Sequence, residues 1–348
     1  MSTHMMIEKP ALLGKTLTEL QAIVQELHMP TFTAKQIANW LYVKRVASID
    51  DMSNISAKNR GLLSEKYTIG LQAPSQTVTS EDGTKKYLFS TPKGAIETVL
   101  IPEEDRATLC VSCQVGCKMN CVFCMTGKQG WNGNLTSTDI VNQICAIPES
   151  DTLTNIVFMG MGEPFDNTLE LLKTLDILTA DWGFAWSPRR LTVSSVGLIP
   201  GMKQFLERSE AHLAISLHNP FSEERLAIMP TEKAYPIEKV VAELKKHDFS
   251  HQRRVSFEYI MFEGVNDSPR HARELVRLLN GLPCRVNLIK FHAIPNVALH
   301  SPSTEKMVWF RDYLTENHVI CTIRRSRGED ILAACGLLSS NTLAPNAE

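Results

Sequence analysis

The stretch Cys110-Val-Ser-Cys-Gln-Val-Gly-Cys117-Lys-Met-Asn-Cys121-Val-Phe-Cys124 holds five of the nine cysteines in this 348-residue chain. Thiolates this close together, among small and polar residues, form the ligand set that a soft metal centre requires. Cys117, Cys121 and Cys124 are spaced C-x3-C-x2-C. Three thiolates on a four-iron cluster leave one iron without a protein ligand, and a substrate or cosubstrate can bind at that open position. The spacing therefore predicts a catalytic iron–sulfur centre.

Three other interpretations fit these cysteines less well. A structural zinc site usually has two pairs of ligands, and no second pair of Cys or His occurs at a matching spacing. A ferredoxin-type cluster would follow C-x2-C-x2-C with a fourth cysteine further on, and that pattern is absent. Buried cysteines that act as small hydrophobic residues would be scattered, whereas these five share one polar segment.

The composition is that of an ordinary globular protein. The chain is longer than one typical domain, with 43% hydrophobic and 21% charged residues. No apolar run approaches the roughly 18 residues of a membrane span, and no hydrophobic export signal follows Met1. Reduced thiols are typical of the cytosol, so we expect a cytoplasmic protein without a membrane partner. A net charge of −2 does not indicate a dedicated nucleic-acid binder, so any RNA would have to bind to local basic patches.

The sequence of residues 1–75 predicts a small helical accessory domain. Apolar residues at helical spacing indicate a first helix over residues 17–27. Thr33 is a candidate cap of a second helix, and Asp50 and Ser56 are candidate starts of later ones.

The sequence of residues 76–109 predicts a β-hairpin extension that leads into the cysteine segment. Its strands are expected at residues 86–90 and 96–101, with a turn at residues 92–94. Glu97 lies in the second strand, where alternation alone would make it a solvent-facing residue.

The sequence of residues 110–340 predicts an α/β fold in the form of a partial (β/α)6 barrel. Apolar strands alternate with helical patterns, as expected for repeated βα units. In such barrels the functional residues lie at the carboxyl ends of the strands. The candidate strands are residues 155–159, 191–196, 213–217, 255–261, 286–291 and 320–323.

Polar residues follow four of these strands. A glycine permits a ligand to approach the backbone closely, and the neighbouring carboxylate can accept hydrogen bonds from an ammonium group. Hydroxyl and imidazole groups can bind a ribose or a carboxylate, although they could equally cap the next helix. The candidate residues are Gly162, Glu163, Ser194, Ser216, Leu217, His218 and His292.

The three-cysteine motif resembles that of the radical S-adenosylmethionine (SAM) superfamily. Its flanks, residues 108–112 and 126–135, are similar to the RlmN/Cfr family of RNA methyltransferases. This resemblance covers nearly the whole chain and also implies a partial barrel. It implies a 4Fe-4S cluster held by Cys117, Cys121 and Cys124, with SAM on the open iron and two SAM molecules used per turnover. It further implies that the seven candidate residues above bind SAM, although relatives carry Asn where His292 stands.

The resemblance also implies the catalytic residues. Ala-Ala-Cys335-Gly matches the methyl-carrying cysteine of the family, and Cys110 matches its partner in a transient disulfide. Glu97 matches the proton acceptor. Without the family, Cys335 would be taken as a buried core residue. No role follows for four further cysteines, Cys113, Cys145, Cys284 and Cys321.

Residues 128–130 and 163–167 resemble the family members that methylate C2 of an adenine in 23S rRNA and tRNA. Methylation of C8, as in Cfr, is the alternative. The resemblance implies that residues 1–75 contact RNA and that a flavodoxin-like protein supplies electrons, and we expect a monomer. Two further classes remain open: a radical SAM enzyme acting on a non-RNA substrate, and a non-catalytic iron–sulfur or zinc module that binds RNA.

Overall fold

The structure, a computed structural model, describes residues 9–249 and 254–339. It begins with three helices: α1 (Leu17–Glu26), α2 (Thr33–Ala38) and α3 (Ala57–Lys66). Thr16 caps α1 in a reciprocal pair, because its hydroxyl accepts the Glu19 N–H while the Glu19 carboxylate accepts the Thr16 N–H. The predicted first helix is thereby confirmed.

The second predicted helix is present and begins at Thr33, but Thr33 is its first residue and not its cap. The chain continues from α2 into a π-helical turn, Asn39–Lys44. The predicted helix start at Asp50 is wrong, because Asp50 lies inside a short 3-10 turn that Ser48 caps. The third prediction is confirmed, because the Ser56 hydroxyl accepts the Asn59 N–H at the start of α3.

Ten strands form one continuous sheet. The first three are antiparallel: β1 (Gln76–Thr79), β2 (Lys85–Thr91) and β3 (Gly94–Glu103). They include the predicted hairpin, which is confirmed. β4 (Arg106–Cys110) is antiparallel to β3 on one side and parallel to the next barrel strand on the other.

Seven strands, starting with β4, run in parallel and build the barrel wall. The sequence predicted only six, because β4 is short and directly follows the hairpin. A separate two-stranded sheet, β5 (Gln114–Gly116) and β6 (Trp131–Asn134), flanks the cysteine loop. The other barrel strands are β7 (Asn155–Phe158), β8 (Leu191–Ser195), β9 (His212–Ser216), β10 (Val255–Met261), β11 (Cys284–Lys290) and β12 (Ile320–Ile323).

Helices cover the outside of the barrel, and β10 is buried along its whole length, as expected for a central parallel strand. Within the described residues, no helix is both long enough and apolar enough to cross a membrane. The helices are α4 (Met125–Lys128), α5 (Ser137–Cys145), α6 (Thr168–Thr179), α7 (Ile199–Arg208), α8 (Ser222–Ile228), α9 (Ile237–Leu244), α10 (Pro269–Leu279) and α11 (Thr304–Glu316).

A buried arginine ties two strand ends together. The Arg225 side chain, which is fully buried, donates to the carbonyl of Val196 after β8 at 3.1 Å. It also donates to the carbonyls of Ser216 (2.8 Å) and Leu217 (2.9 Å) at the end of β9. Glu232 forms an ion pair with the same guanidinium. The pair therefore fixes the edge of the barrel from which the candidate residues project.

Replacing Glu232 by Ala should leave the Arg225 charge buried without a partner. Loss of one partner of a buried ion pair typically costs about 3–5 kcal/mol of the free energy of unfolding. Urea denaturation followed by circular dichroism measures this change. The matched control is Glu274→Ala, which breaks the exposed pair with Arg277 and should leave the urea midpoint unchanged. Equal midpoints for the two variants would contradict this role of Arg225.

Candidate active site

A cavity of about 150 Å³ lies at the carboxyl ends of the barrel strands. The cysteine loop, the ends of five strands and the C-terminal segment contribute its walls. Nine of the residues predicted from the sequence line it: Cys117, Cys121, Cys124, Gly162, Glu163, Ser194, Ser216, His218 and Cys335.

Backbone hydrogen bonds join the cysteine loop to the C-terminal segment. The Met125 N–H, directly after Cys124, donates to the Gly336 carbonyl at 2.8 Å. The Thr126 hydroxyl donates to the Leu338 carbonyl at 2.7 Å. These contacts hold Cys335 beside a loop that lies more than 200 residues earlier in the chain.

The three loop cysteines fit an iron–sulfur cluster through the chemistry of their donor atoms, because all three line one cavity and thiolates are the usual ligands of such clusters. Within the described residues, no group of three His, Cys, Asp or Glu side chains is arranged to hold a metal ion. In a cluster each thiolate would bind a different iron. Burial raises the pKa of Cys117 to about 12 and also raises the pKa of Cys121 and Cys124. Metal binding therefore has to displace their protons.

Gly162 and Glu163 form a close-fitting corner of the cavity. Gly162 has φ +103°, and a Cβ there would lie 2.5 Å from the Cβ of Gln114, so only glycine fits. The Glu163 carboxylate accepts the N–H groups of Phe165 (3.0 Å) and Val196 (2.9 Å). Burial raises its pKa to about 7. A buried carboxylate held in this way can accept hydrogen bonds from an ammonium group.

His218 lies at the end of β9 as a neutral donor. Burial, and secondarily the Arg225 charge, lower its pKa to about 3. Its Nδ1 accepts the Ile260 N–H at 3.0 Å, so the ring proton is on Nε2. Leu217 beside it is completely buried and does not line the cavity, although its carbonyl accepts the Arg225 side chain.

The thiols of Cys110 and Cys335 both lie near Arg324. Cys335 is exposed, while Cys110 is buried at the end of β4. Burial, followed by the charge of Cys335, raises the pKa of Cys110 to about 12, and Arg324 opposes this shift. The Arg324 guanidinium lies 3.3 Å from the Glu258 carboxylate. The two sulfurs and the arginine therefore share one electrostatic environment.

Glu97 does not line the cavity, and it is not the solvent-facing residue that strand alternation suggests. Its carboxylate is buried. Oε1 lies 2.9 Å from Lys86 Nζ, and Oε2 accepts the Ser339 N–H at 2.8 Å. Burial raises the pKa of Glu97, and the Lys86 charge opposes that rise.

His292 also lies outside this cavity. It lines a neighbouring cavity of about 270 Å³ that shares Cys335 with the first. Its Nε2 is 3.0 Å from the Ser326 hydroxyl, and its Nδ1 is 3.5 Å from the Glu329 carboxylate. The structure therefore separates His292 from the other strand-end candidates.

Sequence reasoning missed Glu258, which lines the cavity from β10. A carboxylate in the otherwise apolar run Val-Ser-Phe-Glu-Tyr-Ile-Met was a usable signal, because charged residues are rarely buried without a partner. Arg225 gave no such signal, since the sequence Glu-Glu-Arg is typical of a solvated helix face.

Two family models match the chain: the radical SAM superfamily over residues 111–276, and the ribosomal RNA large subunit methyltransferase N-terminal domain over residues 11–69. A "probable dual-specificity RNA methyltransferase RlmN" of Parabacteroides distasonis is 57% identical, covering 96% of this chain and 98% of the relative. The chain belongs to the RlmN family. A relative with the same name from Phocaeicola vulgatus is 60% identical, covering 95% of each chain.

A solved structure of a radical SAM methyltransferase has a similar fold. The crystal structure of a radical SAM methyltransferase from Sphaerobacter thermophilus is 39% identical, with a TM-score of 0.89, and the match covers 95% of this chain and 99% of that one. The predicted α/β radical SAM fold is confirmed. As a member of the RlmN family, the protein is a SAM-dependent RNA methyltransferase with a radical mechanism, and its superfamily uses a 4Fe-4S cluster. A non-catalytic RNA-binding module is thereby excluded.

Proposed function

We propose that this protein methylates C2 of an adenine in 23S rRNA and in tRNA, with Cys335 as the methyl carrier. The observation that carries the proposal is the position of Cys335, which shares one cavity with Cys117, Cys121, Cys124 and Glu163. The relatives named dual-specificity RNA methyltransferases support an RNA substrate.

Different side chains bind the cluster and SAM in this proposal. Cys117, Cys121 and Cys124 hold the cluster, and Glu163 binds the amino group of SAM. When bound, the cluster and SAM would supply two things: the methyl group from one SAM molecule and a 5′-deoxyadenosyl radical from a second. Gly162, Ser194, Ser216 and His218 complete the SAM site from their strand ends. Leu217 contributes through its backbone, and His292 contributes at the edge.

Cys335 accepts the methyl group and loses a hydrogen atom from it, and the resulting carbon radical forms a bond to C2 of the adenine. Glu97 takes up the proton from C2, and one electron would return to the cluster, so that the ring becomes aromatic again. The Cys110 thiolate then attacks the sulfur of Cys335 and breaks its bond to the methylene carbon, which takes up a proton and leaves as the methyl group of the RNA, with a disulfide between the two cysteines. The charge of Arg324 lowers the pKa of Cys110 against the effect of burial, which favours the attacking thiolate.

Glu97 must first become accessible to the base. Its carboxylate is held by Lys86 and by the Ser339 N–H, which belongs to the same segment as Cys335. Movement of that segment on RNA binding would free one carboxylate oxygen while Lys86 keeps the other. Lys86 is thus a positioning residue that holds Glu97 in its ionised form.

The setting of the enzyme follows from the same proposal. Residues 1–75 form an RNA-contacting domain, residues 76–109 an extension, and residues 110–340 the catalytic barrel. The enzyme acts as a cytoplasmic monomer and takes electrons from a flavodoxin-like donor. The nine cysteines, none in a disulfide within the described residues, suit a reducing compartment.

Replacing Cys110 by Ala should trap the RNA on Cys335, because the attacking thiol is missing. The reconstituted, reduced enzyme is incubated with SAM and an RNA stem–loop, and denaturing electrophoresis detects the covalent adduct. The wild-type enzyme should instead release RNA that contains 2-methyladenosine, identified by mass spectrometry. Cys113→Ala, a neighbouring buried thiol, is the matched control and should form no adduct.

Release of 8-methyladenosine by the wild-type enzyme would reassign the target carbon. Full activity of a Cys335→Ala variant would show that Cys335 does not carry the methyl group and would overturn the proposal.

Replacing Lys86 by Met should move the acid limb of the methylation pH profile to higher pH. Without the ammonium group, burial alone determines the pKa of Glu97 and raises it further, so less carboxylate is present at a given pH. Single-turnover rates measured across the acid and neutral range give the profile. Lys86→Arg keeps the charge and should restore the wild-type limb. If Met and Arg variants lose rate equally at all pH values, Lys86 has only a structural role.

A further inference from the structure

The barrel contains another cavity, of about 300 Å³, on the far side of the thiols. It shares Met159, Glu258 and Arg324 with the cavity that holds Cys335, so the two cavities adjoin each other in the barrel interior. Its outer part is lined by four arginines and a histidine: Arg106, Arg189, Arg254, Arg285 and His212.

These four arginines come from separate elements at the amino ends of the barrel strands. Arg106 begins β4, and Arg285 is the second residue of β11. Arg254 directly precedes β10, and Arg189 lies in the turn before β8. The topology alone therefore gathers them at the end of the barrel opposite the cysteine loop.

None of the four guanidinium groups has an ion pair with a carboxylate of the described residues, whereas Arg225, Arg270, Arg277 and Arg324 each have one. Residues 250–253, Ser-His-Gln-Arg, contain no acidic residue either. Glu258 also lines this cavity, but it already binds Arg324 and accepts the Asn287 amide at 2.8 Å. Within residues 9–249 and 254–339, the four arginines therefore line the cavity without a carboxylate partner.

The charges also repel one another. Burial, followed by the charge of Arg254, lowers the pKa of Arg285. Burial and the charges of Arg254, Arg189 and Arg285 lower the pKa of His212 to about 4, so this ring is neutral at pH 7. Arg106, Arg189 and Arg254 are exposed, so an anion can reach them from solvent. Like charges gathered in this way attract anions, and Arg forms bidentate hydrogen bonds with phosphate oxygens.

Uncharged polar side chains line much of the rest of the cavity. Asn155, Thr192, Ser256 and Asn287 provide hydroxyl and amide groups between the arginines and the thiols, beside the apolar residues Val157, Met159 and Leu213. A volume of about 300 Å³ is at the lower end of the range for small-ligand sites, which suits part of a nucleotide. The distance along β11 from Arg285 to Ile289, which lines the Cys335 cavity, is about 13 Å at 3.3 Å per residue.

We propose that this arginine-lined cavity binds backbone phosphates of the single-stranded RNA segment beside the target adenine. The inference rests on the proposed function, because it assumes that the adenine reaches Cys335. Four arginines spread over four elements suit a chain of phosphates better than one small anion. The phosphate contacts would position the strand, while the interior of the barrel admits the base.

The double variant Arg254→Gln/Arg285→Gln tests this directly. The matched control is Arg277→Gln/Arg311→Gln, which removes the same charge from helices outside the cavity. The probe is a fluorescent RNA stem–loop bound to the reconstituted full-length enzyme over a range of salt concentrations. Each lost phosphate contact to single-stranded RNA lowers the salt slope by about 0.7. We therefore expect the slope to fall by about 1.4 and the Kd at 0.15 M salt to rise roughly 10-fold.

Arg254→Lys/Arg285→Lys keeps both charges and should retain the wild-type salt slope. Methylation of Cys335 by SAM without RNA, followed by mass spectrometry, should be the same in all variants. If the wild-type enzyme fails to methylate Cys335, the proposed function has failed instead. If the Gln double variant binds RNA like its control, the inference is wrong. If it loses affinity only for free ATP, the cavity serves a small anion and the inference is equally wrong.

Discussion

The architecture depends on a shortage of ligands: the cysteine loop presents only three thiols to the cavity at the carboxyl ends of the strands. The fourth thiol in that cavity, Cys335, comes from the C-terminal segment and is the proposed methyl carrier. A four-iron cluster bound there would retain one iron free for an exogenous ligand. The surrounding residues suit that ligand, since a buried carboxylate at Glu163 can bind an ammonium group and a neutral His218 can donate a hydrogen bond. The Arg225–Glu232 pair holds the strand ends that present these groups.

The second constraint is that the cysteine loop and the C-terminal segment, which lie at the two ends of the barrel sequence, must be adjacent in the structure. The cysteine loop and the C-terminal segment are bound to each other through Met125 and Gly336. The same segment reaches Glu97 through the Ser339 N–H. One short piece of chain therefore carries Cys335, the proposed methyl carrier, and contacts both the cysteine loop and Glu97, the proposed proton acceptor. A change in its position would alter all three together.

Much of this site could be predicted from the sequence, because the cysteine spacing and the strand-end glycine and carboxylate are local patterns. The hairpin, the βα alternation and the Ser56 cap are local as well, and the structure confirms them. The cap role of Thr33 and the helix start at Asp50 were wrong, because competing caps and packing decide where a helix begins. β4 was missed because a five-residue strand that follows a hairpin has no distinct period.

Other features depend on tertiary contacts that no local pattern carries. Alternation makes Glu97 a surface residue, yet Lys86 on the adjacent strand pairs with it and makes burial tolerable. Arg225 resembles a solvated helix residue until the carbonyls of two strand ends are placed around it. His292 follows a strand, as the other candidates do, but its strand directs it into the neighbouring cavity.

The most direct test of this account is electron paramagnetic resonance of the reduced, anaerobically reconstituted protein, with and without SAM labelled with 15N at its amino group. The account predicts a changed spectrum on addition of SAM and a hyperfine coupling from the labelled nitrogen to the cluster. An unchanged spectrum, or a metal centre already saturated by four protein side chains, would contradict it.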